Sequence, residues 1–135
     1  MEINNKLKEG NWKYILNAQA VNYETSTNQL VKLCHGLSKD AGWHENPREV
    51  GTMLALIHSE VSEALEGFRK DLNDDHLAHR KMAEVELADA VIRIFDLAGA
   101  QGFDLGGALV EKLMYNTQRA DHKVENRQGE NGKKF

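Results

Sequence analysis

The chain has 135 residues, with 17 Lys and Arg against 21 Asp and Glu and a formal charge of −4. That length suits one domain with a core of its own, and with no basic block to track a phosphate backbone it argues against a nucleic-acid-binding module. Cys34 is the only cysteine, which excludes an internal disulfide and a cysteine-built zinc site and fits a reducing compartment. No apolar run reaches the roughly 18 residues of a membrane span, and "MEINNKLKEG" lacks the apolar stretch of a signal peptide, so a soluble, cytoplasmic protein is expected.

In chain order, residues 11–24, "NWKYILNAQAVNYE", suggest a short helix. The first main helix lies in "STNQLVKLCHGLSKDAGW", with Ser26 or Thr27 as its cap and Leu30, Val31, Leu33, Cys34 and Leu37 as its apolar stripe. The second lies in "ENPREVGTMLALIHSEVSEALEGFRK", where Asn46 reads as the cap, Pro47 as the first helical residue and Glu49 as the third. Its stripe is Met53, Leu54, Ile57, Val61, Ala64, Leu65 and Phe68. After the polar connector "DLNDDHLAHR" comes "MAEVELADAVIRIFDLAGA", apolar almost all round except for a narrow stripe of Glu86, Asp89, Arg93 and Asp96. A helix of that kind is expected to sit centrally. Gly102 stops it, and Asp104 caps the fourth helix, "DLGGALVEKLMYNTQRADH". The last stretch, about residues 121–135, reads as a flexible, charged tail. No segment shows the alternation of a strand. The expected fold is all-α, a single domain over 1–135 built as an antiparallel four-helix-type bundle and assembling as a homo-oligomer.

Two acid pairs stand at helical spacing, Glu60 with Glu63 and Glu86 with Asp89. Spacing alone means little, because a chain this acidic produces roughly three such pairs by chance, and Glu63/Glu66 and Asp71/Asp74 are two more. Position on the helix says more. Glu60 falls inside an apolar stripe, one turn from Ile57 and from Ala64, Glu63 borders it, and the other two interrupt a helix with little polar surface. Carboxylates gathered in an apolar interior require compensating cations, either Lys and Arg or a divalent metal. Oxygen-only ligands suit a hard ion, Mg²⁺ with Mn²⁺ as a substitute, and such an ion points towards phosphate chemistry. Glu-x-x-His motifs of di-iron bundles are absent.

Lys112, Asn116 and Arg119 share a face of the fourth helix at i, i+4 and i+7, with Tyr115 and His122 nearby. They fit phosphate contacts, and equally well the cations favoured near a helix C-terminus. Arg93 reads as a counter-ion to Asp89 and Asp96. The six histidines, His35, His44, His58, His76, His79 and His122, show no shared ligand spacing and read as surface or core residues. Trp12 and Trp43 read as core or interface residues with base stacking as the alternative, and Cys34 as a small core residue.

"SEVSEALE", "EVELADAVIRIFDLAG", "GGALVEKLMYNTQRADHK" and the closing "GKKF", in that order, resemble the motifs of the MazG-like family of all-α nucleoside triphosphate pyrophosphohydrolases. The resemblance covers about residues 47–135. It implies hydrolysis of an NTP or dNTP to the monophosphate and pyrophosphate, with Glu60, Glu63, Glu86 and Asp89 as catalytic residues holding Mg²⁺. It also implies phosphate or sugar contacts from Lys112, Asn116, Arg119 and Lys133, and assembly as a dimer or tetramer. Some members place a further glutamate immediately before the first motif glutamate. Here that position is Ser59, after His58, so the general base is open between one of the four acids and hydroxide generated at the ion. A non-catalytic nucleotide- or metal-binding bundle is the alternative function.

Overall fold

A computed structural model of the chain describes residues 11–119 and 124–133. Among the described residues there are five helices and no strand: α1 (Trp12–Asp40), α2 (Val50–Lys70), α3 (Met82–Gln101), α4 (Leu105–Asn116) and the single turn α5 (Val124–Arg127). The regular structure of the described residues is all helical. Its contacts divide into two compact units, one comprising Gln29–Phe103 and the other running up to Asn28 and onward from Asp104.

Within the Gln29–Phe103 unit, α2 and α3 pack as an antiparallel pair. Gly67 near the end of α2 lies against Ala83 near the start of α3, and Glu60 meets Arg93. The close approach is built from small residues. A Cβ on Gly67 would stand 2.9 Å from the Ala83 backbone nitrogen, and the buried positions of α2 are Met53, Glu60, Ala64 and Gly67, those of α3 Ala83, Ala90, Asp96 and Ala98. Between the two helices the connector is held by Asp74, whose Oδ2 accepts from His76 N and Leu77 N, and by an isolated antiparallel bridge between Asn73 and Lys81.

Several local expectations are corrected. The segment 11–24 and the first main helix are one continuous α1. Nothing between Trp12 and His35 breaks a helix, and the start signal is Asn11, whose Oδ1 accepts from Tyr14 N at 3.2 Å, rather than Ser26 or Thr27. Helix α2 begins at Val50, not Pro47, because Glu49 is the cap: its carboxylate accepts from Gly51 N at 3.0 Å and Thr52 N at 2.9 Å. Those bonds hold the Glu49 carboxyl below its ordinary value, the Thr52 hydroxyl contributing most. As expected, Gly102 closes α3 with a left-handed φ of 67° and Asp104 caps α4 through Gly107 N. Helix α4 ends at Asn116, where the Thr117 hydroxyl turns back onto Met114 O and Arg119 N reaches Asn116 O. Arg119 therefore lies beyond the helix that carries Lys112 and Asn116, contrary to the expectation that all three stand on one helix.

The apolar stripes are also displaced from expectation. On α2 the exposed apolar residues Leu54, Val61, Leu65 and Phe68 each follow one position after a buried one, and Phe68 is 70% exposed. On α3 the polar stripe faces inward within its unit while Leu87, Val91, Ile92 and Ile94 are exposed, the reverse of a centrally buried helix. The reason is the small-residue seam, which lets the backbones approach and leaves larger side chains outside it. Trp12 and Trp43 are exposed rather than core residues, and Cys34 is half-buried.

In the other unit, the first part of α1 packs on α4. Asn28 ties them, donating to Asp104 Oδ1 and accepting from Gly106 N, both at 2.8 Å. Ile15 and Val110 are buried there, beside an apolar hollow of about 480 Å³ lined by Trp12, Leu16, Tyr23, Leu109 and Leu113.

Candidate metal centre

Glu60 is on the buried seam of α2, Glu63 is one turn on and exposed, and Glu86 comes from the facing turn of α3, half-buried. One carboxylate oxygen from each lies within 4.8 Å of the others, an acidic cluster that could hold a metal ion. The sequence placed these three together correctly. Asp89, one turn beyond Glu86, lies outside that convergent group. It lines a cavity of about 420 Å³ together with Glu60, Arg93, Asp96, Arg48 and Trp43.

Three carboxylates this close do not all ionise readily. Burial, followed by the hydrogen bond to Glu60 and the charge of Glu63, pushes the Glu86 carboxyl up to about 7. Glu60 behaves in the opposite sense. Burial acts to raise it, but Arg93 Nε donates to Glu60 Oε1 at 2.7 Å, and hydrogen bonds shared with Glu86 and Glu63 add to this, so Glu60 is held below the ordinary carboxylate range. As the pH rises, Glu60 therefore gives up its proton before Glu86 does. Asp89 is raised by burial and by the charge of Glu60, with Arg93 acting against both.

Arg93 was expected on Asp89 and Asp96, but its hydrogen bond goes to Glu60. Asp96 is held elsewhere. Its Oδ1 lies 2.8 Å from His35 Nδ1 and 2.8 Å from His44 Nε2, and its Oδ2 accepts from Ser38 Oγ at 2.9 Å with Arg48 at 3.6 Å. Burial alone would raise Asp96; the two imidazoles and the Ser38 hydroxyl outweigh it and hold the carboxyl low. His35 and His44, which read as unrelated in the sequence, thus share one acceptor. Two local signals pointed there: His35 and Ser38 stand at helical spacing on α1, and on α3 Gly99 follows Asp96 by one turn. A Cβ on Gly99 would stand 2.5 Å from His35 Cβ, so only glycine leaves room for that ring.

Of the expected phosphate contacts, Lys112 stands 4.8 Å over the Tyr115 ring, and Asn116 Oδ1 is buried with no hydrogen-bond partner among the described residues. Arg119 and Lys133 both have partners within the chain. His122 and Phe135, the end of the "GKKF" motif, lie outside the described residues. No described helix is long and apolar enough to cross a membrane. Comparison with protein-family models, with curated proteins and with solved structures returns no match.

Proposed function

We propose that this chain is a Mg²⁺-dependent nucleoside triphosphate pyrophosphohydrolase of the MazG-like type, converting an NTP or dNTP to the monophosphate and pyrophosphate. The observation that carries the proposal is the convergence of Glu60, Glu63 and Glu86 beside a cavity of about 420 Å³. The donor set fits the ion. It is all oxygen, as a hard cation requires, and its crowding leaves Glu86 holding a proton that a divalent charge would displace. When bound, the ion supplies charge neutralisation at the phosphates and acidifies water.

The chain's own residues divide the remaining work. Arg93 keeps Glu60 ionised and oriented. Asp89, outside the three convergent carboxylates but facing the same cavity, is the acid placed to orient the attacking water and take its proton. The family resemblance assigns phosphate or sugar contacts to Lys112, Asn116, Arg119 and Lys133, and the unpartnered Oδ1 of Asn116 supports a polar ligand there. Assembly as a homo-oligomer belongs to the same proposal. It is supported by the exposed apolar stripe Leu54, Val61, Leu65 and Phe68 on α2 and that of Leu87, Val91 and Ile94 on α3.

The test is pyrophosphate release from a panel of ribo- and deoxynucleoside triphosphates with and without Mg²⁺. Glu63→Gln and Asp89→Asn should each lower turnover by about 100-fold or more. Equal turnover in either variant removes the assigned role, and nucleotide binding without turnover favours the non-catalytic bundle.

A further inference from the structure

We propose that His35, His44 and Asp96 form a second metal site, selective for a borderline divalent ion such as Zn²⁺ and separate from the carboxylate cluster. Three segments bring the ligands together: His35 from α1, His44 from the loop between α1 and α2, and Asp96 from α3. The two imidazole nitrogens are 2.8 Å from one and the same oxygen, Oδ1 of Asp96. Their rings meet edge to face, with centroids 4.7 Å apart and planes at 77°. Both nitrogens are thus aimed at the same carboxylate oxygen, and one ligand atom from each of the three residues lies within 4.8 Å of the others, close enough to hold one ion.

The two oxygens of Asp96 have separate tasks. Oδ1 faces the imidazoles, whereas Oδ2 is held by the Ser38 hydroxyl and by Arg48. A carboxylate that ligates through one oxygen while outer groups hold the other is the usual arrangement around a bound metal. Two nitrogens and one oxygen suit Zn²⁺ or a neighbouring transition metal, in contrast to the oxygen-only set of Glu60, Glu63 and Glu86. Seating such an ion requires the nitrogens and the oxygen to separate by only roughly 0.5 Å, given ligand distances near 2.0–2.1 Å and tetrahedral angles. The ring protons now directed at Asp96 would move to the other nitrogens, His35 Nε2 and His44 Nδ1.

Access and rigidity agree with this role. The His35, His44 and Asp96 side chains are only 22%, 16% and 8% exposed. Ser38, Arg48 and Asp96 line the cavity, so water or a ligand would reach the ion from the Asp96 side, as in zinc sites that do chemistry. Gly99 fixes the path of His35 against α3 by offering no side chain at the point of contact.

The experiment uses the full chain, Zn²⁺ alone as the probe, and a large excess of Mg²⁺ to fill the carboxylate cluster. Affinity is read by competition with a chromophoric chelator, and the ligand shell by zinc-edge X-ray absorption. One Zn²⁺ per chain with imidazole scattering is expected. Loss of an outer partner weakens a metal by about 10- to 100-fold. Ser38→Ala should therefore fall in that range, His44→Gln should lose at least about 100-fold, and Glu63→Gln should leave Zn²⁺ affinity unchanged. Absence of bound Zn²⁺, a shell without imidazole, equal affinity in His44→Gln, or loss of affinity in Glu63→Gln would overturn the proposal. The absorption spectrum of the unaltered chain decides the matter even where a variant does not fold.

Discussion

Replacing Glu86 by glutamine tests the crowding of the acidic cluster by itself, with no assumption about substrate. A carboxyl that titrates at about 7 instead of 4.5 is disfavoured as an anion in the folded chain by about 3 kcal/mol. Solvent around the exposed Glu63 screens this to roughly 1–2 kcal/mol. In the folded chain Glu86 keeps its proton at a pH where the unfolded chain has lost it. Its favourable contribution is thus complete below about 4.5 and is lost as pH rises through about 7. Glutamine cannot ionise and does not show this loss. Urea unfolding followed by circular dichroism in a chelator, at about pH 4 and about pH 8, should show Glu86→Gln gaining roughly 1–2 kcal/mol on the unaltered chain between the two. In a thermal melt the same gain is about 4–8 °C. A difference that is the same at both pH values, or that moves in favour of the unaltered chain as pH rises, refutes the claim that burial beside Glu60 and Glu63 disfavours the Glu86 anion.

Three further outcomes are expected. Mg²⁺ at a hundred times its Kd should add about 2.7 kcal/mol to the stability of the unaltered chain, and most of that gain should be lost in Glu63→Gln, as read by thermal melts across a Mg²⁺ titration. Arg93→Met leaves the buried Glu60 carboxylate without its 2.7 Å donor; because Arg93 is partly exposed, the expected loss is roughly 1–3 kcal/mol, and adding Glu60→Gln should recover part of it in a double-mutant cycle. Gly99→Ala places a methyl 2.5 Å from His35 Cβ and should destabilise the chain by about 1–3 kcal/mol, with the His35 and His44 resonances shifting together in an NMR spectrum because both rings bond to Asp96.

Much of the helical layout was legible because period and punctuation are local. Gly102 and Asp104 end and begin helices where their chemistry says they should. The start of α2 was misplaced because the Asn46-Pro47 pair imitates a start signal, and the stronger cap comes from the longer Glu49 side chain, which reaches two backbone N–H groups. Burial was less legible. Leu54, Val61, Leu65 and Phe68 look like a core face in sequence, yet the seam with α3 runs one residue earlier through Ala64 and Gly67, since backbone approach selects small residues over large ones. Glu60, Glu63 and Glu86 could be found because two of them are neighbours on one helix and the third belongs to a second such pair. The pairing of His35 and His44 with Asp96 was not legible, because 61 and 52 positions separate the partners and the local spacings of His35 with Ser38 and Asp96 with Gly99 do not say which segments meet. Arg93 was recognised as a counter-ion, but its partner on the other helix was not visible from α3 alone.

The most direct test of the central claim is the identity of the products. Phosphorus NMR of the full chain incubated with a reactive nucleoside triphosphate and Mg²⁺ should show monophosphate and pyrophosphate appearing in equal amounts, with neither formed when a chelator is present. Release of nucleoside diphosphate and inorganic phosphate, or no turnover of any nucleotide in the panel, would contradict the account.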